Sequence, residues 1–494
     1  MKYRIVPIVF LVLTLGIIDS CGGGSGGSNS GTGTTNNGPT VQNWVTSADQ
    51  SKLLSREPDL TFGGSAAAAS NIDVDATNRY QTMVGFGAAI TDASAWVIQN
   101  DMSSTQRTTL MNELFGRATG IGLSFTRLTI GASDFSRSLY TLDDVPAGQT
   151  DYPLTNFSIA PMQTAVLPVV KSALAVNPGL SVMASPWSAP AWMKNNGSLI
   201  KSTDPSIQGT LLPQAYAAFA QYLGKFADAM QAEGVPLYAM TAQNEPAYEP
   251  TDYPGMLLAP ASRATLIGQQ LGPLLAQRAQ AVRLLDWDHN WDNPSSPQTV
   301  LADTVAAPYV SGVAWHCYAG DVSAQNTVHT AFPTKDTYIT ECSGGDWAPV
   351  WADNLLWNVR TLIIGGTRDW AKGVLLWNMA LDENHGPHTG GCSNCRGVVT
   401  VNSGTGAVTR NEEYYALAHA SKFVRPGAQR IDSSTGVNGL ESVAFRNSDD
   451  GSLVLIVANA SGLTRSFSVR QGGQTFTAAL PAGAIASYVW TPAS

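Results

Sequence analysis

Charge is scarce in this chain. Only 13% of its 494 residues are Asp, Glu, Lys or Arg, and the balance is acidic at −9. No basic patch is evident, which argues against a nucleic-acid partner. No Gly-rich phosphate loop follows a first strand, so an open nucleotide-binding sheet lacks its fingerprint. A serine elbow is missing in substance. Gly23-Gly24-Ser25-Gly26-Gly27 has the spelling, but no strand precedes it and no helix follows. The longest apolar run, IVPIVFLVLTLGII, falls short of the ~20 residues a membrane span needs. Cysteine occupies five positions.

What is present fits a large, loop-rich protein. Hydrophobic residues make up 44% of the chain, ample for a sizeable core and for two or more domains. The 47 Gly, 27 Pro and 13 Trp suit many loops and aromatic platforms. At the start, basic MKYR and the apolar run read as an export signal over residues 1–20. IDSC then GGGSGGSNSGTGTTNNG reads as a bacterial lipoprotein signal. Cys21 would carry the lipid, and residues 21–40 would form a flexible tether at the cell envelope. Plain secretion is the alternative.

From about residue 80, strand-like and helix-like segments alternate. VGFGAA, GLSFTRL, SVMAS, LYAMTAQ, VRLLDWD, GVAWH, YITE and GVLLWN read as strands. Amphipathic stretches such as SSTQRTTLMNELF and PQAYAAFAQYLGKFADAMQAEG lie between them. Eight such strands predict an α/β protein with a (β/α)8 barrel over 80–422. Past it, VAFRN, LVLIVANA, TRSFSVR, QTFTAAL and AIASYVW are short alternating strands, the pattern of a β-sandwich over 423–494. Residues 41–79 are also strand-like and are expected to add strands to that sandwich.

Two glutamates stand out. Glu245 in TAQNEPAYEP and Glu341 in TYITECSGGDW each follow a strand-like run. Carboxylates at strand ends face the mouth of a barrel, where barrel enzymes do their chemistry. Two converging there suit glycosidic bond cleavage, one as acid and then base, the other as nucleophile. Pro246 biases Glu245 toward an extended backbone, and Asn244 could bond a sugar hydroxyl. The bland alternative is a pair of solvated surface charges. Cys392 and Cys395 in GCSNCRG suit a loop disulfide, and with His385 and His388 they also spell a zinc site. Cys317 and Cys342 read as small packing residues.

The ordered blocks GFGAAITDASA, RLTIGASDFS, ASPWSAPAWMK, TAQNEPAYEP, GVAWHCYAG, ITECSGGDW, LLWNMALDENHGP and YYALAHASKFVRPGAQRI carry a resemblance. The chain resembles glycoside hydrolase family 30, which includes glucosylceramidases and β-1,6-glucanases. The resemblance implies a barrel with a sandwich built from both chain ends. It implies Glu245 as acid/base and Glu341 as nucleophile of a retaining enzyme, and no metal or organic cofactor. It places Asp92, Trp187, Asn244, His316, Tyr318, Trp377 and Asn378 around the sugar, and Arg127 beside Glu341. Asp92 could instead cap a helix. Trp187 and Trp377 could be core, and His316 or Arg127 purely structural. The Cys-containing stretch after Trp377 departs from the glucosylceramidase pattern, which leans the substrate toward β-1,6-linked glucan. A glucosylceramidase-like or other β-glucosidase, and a surface glycan-binding protein without turnover, are the alternatives.

Overall fold

The computed structural model describes residues 38–63 and 70–492. The export signal and Cys21 lie outside these residues. Eight parallel strands close a barrel: β1 Gly85–Ala89, β2 Phe125–Ile130, β3 Ser181–Pro186, β4 Leu237–Thr241, β5 Arg283–Asn290, β6 Val310–His316, β7 Asp336–Glu341 and β8 Ala371–Asn378. They pair in sequence, and β8 closes on β1. Most strand positions are buried, because helices cover the outer face while side chains fill the inner one.

The helices follow local chemistry. Ser103 and Gln106 form a reciprocal capping box that starts Ser104–Phe115. Tyr216–Ala232 buries Phe219, Leu223, Phe226 and Met230, the 4-3-4 spacing of one face. No helix of the described residues is long and apolar enough to cross a membrane.

The sandwich uses both ends of the chain. Thr40–Thr46 pairs with Ile485–Trp490, and Gln429–Ser433 pairs with the long strand Asn71–Thr82. That long strand also pairs through its first residues with Arg465–Gln471, so it serves both layers. Phe62, Phe476 and Trp490 fill the space between.

Period-two alternation sets the inside of the barrel. Phe125, Met183, Ala239, Leu285, Ala314, Tyr338 and Leu375 form one apolar layer. Two residues further along six of these strands come Arg127, Ser185, Thr241, His316, Thr340 and Trp377. Every second side chain faces inward, so this next layer lies at the C-terminal mouth. The exception is β5. Its pairing with β6 slips between Trp287 and His289, and Trp287 and Asp288 have φ of 77° and 52°. This bulge turns Asp288, three residues past Leu285, into the polar layer.

Candidate active site

Asp288 organises the mouth of the barrel. It is fully buried. Its Oδ2 accepts from Ser185 Oγ at 2.6 Å, Thr241 Oγ1 at 2.8 Å and Arg127 Nη2 at 2.8 Å. Its Oδ1 accepts from Thr340 Oγ1 at 2.7 Å and faces His316 Nε2 at 3.1 Å. Burial alone would raise its pKa, but Arg127 and His316 together with these hydrogen bonds hold it far below the usual carboxylate range.

Arg127 spreads that charge. Its Nη1 lies 2.5 Å from Glu341 Oε2, and Nη2 also donates to Asn244 Oδ1 at 2.7 Å. The guanidinium packs over Trp187 and Trp377, whose rings stack 5.0 Å apart. Both indoles are only 2% exposed, so they form a buried shelf. Tyr318 donates its hydroxyl to Glu341 Oε1 at 3.0 Å. His316 Nδ1 lies 3.0 Å from Glu245 Oε1. One oxygen each of Glu245 and Glu341 and a ring nitrogen of His316 lie within 4.8 Å of one another.

Three features differ from expectation. Glu245 is not extended: its φ is +45°, a left-handed conformation that costs a non-glycine residue energy. Its N–H donates to the Asp288 carbonyl and its carbonyl accepts from Tyr248, so hydrogen bonds impose that turn against the bias of Pro246. Asp92 does not cap its helix. Thr91 accepts from the Ser94 N–H, and Asp92 is the first helical residue. Both Asp92 oxygens are taken by Arg137, at 2.9 and 3.0 Å, so the carboxylate staples the loop after β2. Cys317 and Cys342 are not free packing residues. They are joined as a disulfide across the ends of β6 and β7, where strand pairing brings consecutive loops together.

Cys392 and Cys395 are likewise bonded to each other, so they offer no thiolates to zinc. His385 instead faces Asp346 at 3.1 Å, and His388 packs on Phe135. The trio Glu245, His316 and Glu341 has donor atoms close enough for a cation. The Arg127 guanidinium already occupies one side of it, which opposes a second positive charge. Asn378 Oδ1 accepts from Thr91, while its buried Nδ2 has no protein hydrogen-bond partner.

Asp134 was not singled out from the sequence, although it lies in the quoted block RLTIGASDFS. It follows β2 by four residues, as Glu245 follows β4. Burial and the nearby charges of Glu341 and Glu245 push its carboxyl up to about 8. Asp288 carried even less signal, because only the bulge aims it inward.

Retaining hydrolysis starts from a protonated acid and an ionised nucleophile, and the surroundings of these two glutamates shift them the other way. Burial works against the His316 cation, yet Glu341, Asp288 and Glu245 push its pKa up to about 9. Burial disfavours charge on Glu245 too, but the His316 hydrogen bond and charge bring its carboxyl below its ordinary value. Glu341 is raised by burial and by Glu245, against the pull of His316 and Arg127. The labile proton of this group rests on His316, beside Glu245.

This mouth, with paired carboxyl groups over a tryptophan shelf, defines a barrel glycosidase of the two-carboxylate class. The Glycosyl hydrolase family 30 TIM-barrel domain matches residues 83–424, and the Glycosyl hydrolase family 30 beta sandwich domain matches residues 427–488. The chain belongs to glycoside hydrolase family 30 and is an O-glycosyl hydrolase. It is 38% identical over 420 residues to an endo-1,6-beta-D-glucanase of Neurospora crassa, covering 81% of this chain and 84% of that one. It is 30% identical over 441 residues to the lysosomal acid glucosylceramidase of Mus musculus, covering 83% and 82%. A solved endo-beta1,6-glucanase superposes with a TM-score of 0.82 at 30% identity, over 92% of this chain and 99% of the other.

Proposed function

We propose that the protein is a retaining endo-acting glucanase that cleaves β-1,6-glucosidic bonds, with Glu341 as nucleophile and Glu245 as acid/base. The observation that carries the mechanism is the approach of the two carboxyl groups, with oxygens within 4.8 Å. Retaining enzymes keep theirs about 5–5.5 Å apart, and inverting ones leave roughly 6.5–9.5 Å for a water. Glu341 is oriented by Arg127 and Tyr318 on separate oxygens, which aims it at the anomeric carbon. The proton reaches the departing oxygen through Glu245, which takes it from His316 Nδ1 across the 3.0 Å contact. Neutral His316 still donates from Nε2 to Asp288, so the ring keeps its place. Water then attacks the glycosyl ester, and Glu245 accepts its proton. Trp377, Asn378 and Asp134 surround the sugar on the Glu341 side. The retained sugar and the departing one each occupy a side of this centre.

The linkage is supported by three fungal relatives named endo-1,6-beta-D-glucanase, at 34–38% identity, and by the solved endo-beta1,6-glucanase. The deciding measurement is a product profile on pustulan, laminarin, xylan and glucosylceramide. Gentio-oligosaccharides from pustulan are expected. Faster release of glucose from glucosylceramide than of sugar from pustulan rejects the linkage. Binding of all four without release rejects enzymatic function.

Export and lipid anchoring through Cys21 belong to the same proposal, on the strength of MKYR, the apolar run and the Gly/Ser tether. Labelled palmitate should enter the wild type and not Cys21→Ser. Equal labelling of both, or none in the wild type, removes the anchor.

A further inference from the structure

Large aromatic surface is left exposed beside the reacting centre, on the chain that follows His316 and Glu341. Trp347 is 54% exposed, Tyr318 44% and Trp357 42%. All three line a single hollow of about 450 Å³. Contiguous exposed apolar surface of this kind marks a binding site. Indole faces suit the C–H face of a sugar ring.

The hollow is built rather than accidental. A Cβ added to Gly345 would lie 2.0 Å from the Trp347 ring, so the indole rests against bare backbone. Gly344–Gly345 pairs antiparallel with Cys395–Arg396. Asp346 N–H donates to the Asn394 carbonyl at 3.0 Å, and His385 Nε2 holds the Asp346 carboxylate at 3.1 Å. The Cys392–Cys395 bond closes that bracing loop. On the facing wall, Asp353 and Trp357 stand four residues apart on helix Trp351–Trp357, so they share a face. Tyr318 joins the hollow to the chemistry: its hydroxyl reaches Glu341, while its ring flank stays open.

The side of the substrate follows from which faces of the centre are closed. The departing oxygen must lie against Glu245. Glu245 is held by His316 at the end of β6, and the chain runs directly from His316 into Cys317 and Tyr318. Ser343 and Trp347 follow Glu341 in the same way, so the hollow borders both glutamates. The buried Trp187–Trp377 shelf closes the Arg127 side of the centre, which leaves the exposed hollow to the departing unit.

We propose that Trp347, Trp357 and Asp353 form a subsite for the departing glucosyl unit of a glucan chain, and that the disulfide-closed loop 385–396 holds Trp347 in place for it. The indoles stack on the sugar, and the Asp353 carboxylate accepts from its hydroxyls. This assignment rests on the glucanase reading above.

The test compares kcat/KM on gentiotetraose with kcat/KM on dinitrophenyl β-glucoside, which has the same retained sugar and no departing one. In Trp347→Ala the ratio of the two should fall roughly tenfold or more, the effect of losing one good stacking contact. Gly345→Ala keeps both indoles and displaces one, so its ratio should fall in the same direction. Cys392→Ser with Cys395→Ser should lower it by a smaller factor. Thermal melts identify any variant that fails to fold, and Trp357→Ala then serves in its place. A wild type that cleaves gentiotetraose, with variants whose ratio is unchanged or whose two activities fall together, overturns the subsite alone. A wild type inactive on every β-1,6-linked substrate overturns the glucanase reading and the subsite with it.

Discussion

Two fully buried histidines sit at opposite ends of the electrostatic range. At the barrel mouth, His316 lies among Glu245, Glu341 and Asp288 and is pushed up to about 9. At the seam between barrel and sandwich, His419 meets only hydroxyls, Ser487 Oγ and Thr46 Oγ1, both at 2.8 Å. Ser487 gives its own proton to the His419 carbonyl, so Nδ1 donates to Ser487 and Nε2 accepts from Thr46. Burial with no nearby charge drives His419 down to about 3. The same side chain at the same depth stores a proton in one place and refuses one in the other. The neighbouring carboxylates decide, not burial. The mouth keeps strained backbone at Glu245, Trp287 and Asp288, while the seam spends its hydrogen bonds on joining three elements.

The sharpest test of the mouth is its nucleophile. Glu341→Ala should lose about 10⁴–10⁶-fold in kcat, the scale seen when a unit of catalytic groups is broken. Added azide should restore part of it as the α-glycosyl azide, because azide attacks once from the face Glu341 has vacated. Glu245→Ala should instead give the β-glycosyl azide from an activated substrate. Identical anomers from both variants would undo the role assignment.

Asp288→Asn probes what makes His316 different from His419. It removes the charge that anchors both Arg127 and His316, and kcat should fall about 10²–10³-fold. The wild-type rate should decline as pH rises through about 9, where His316 loses its proton. In Asp288→Asn that alkaline limb should move to lower pH. An unmoved limb would mean that His316 does not hold the working proton.

The histidines also predict opposite stability profiles. His316 is raised above its unfolded value of 6.5, so its contribution is complete below that pH and is lost as pH rises toward 9. His419 is lowered, so its contribution is present above 6.5 and is lost as pH falls toward 3. Acid melts between pH 6.5 and 4 should show a loss of roughly 3 kcal/mol from this group. His419→Gln should flatten that slope. A slope unchanged in the variant would remove the seam from the comparison.

The Cys317–Cys342 bond belongs to the mouth as a clamp between consecutive strands. It closes a separation of 25 residues, so Cys317→Ser with Cys342→Ser should cost about 3 kcal/mol of stability. Turnover should fall less than in Asp288→Asn, since Tyr318 and Glu341 keep their hydrogen bond. Chemical denaturation and steady-state rates on the double variant check both halves.

Much of the architecture was legible in the chain. Runs such as VRLLDWD and GVLLWN, spaced by amphipathic helices, mark all eight barrel strands, because burial on both faces demands long apolar runs. The late strands from VAFRN to AIASYVW mark the sandwich through strict alternation and turn residues. Strand ends place Glu245 and Glu341 at one mouth, 96 residues apart in sequence. Asp288 was not legible, because alternation from Leu285 points to Trp287 and only the bulge reverses it. Asp134 and the Asp92–Arg137 pair depend on how the loop after β2 folds back. The partners of Cys317 and His419 depend on which strand ends lie adjacent. Local pattern encodes which segments become strands and helices, since propensity and period act over a few residues. Which charges meet, and therefore which histidine holds a proton, is set by contacts across 25 to 373 residues, and those exist only once the barrel and sandwich have closed.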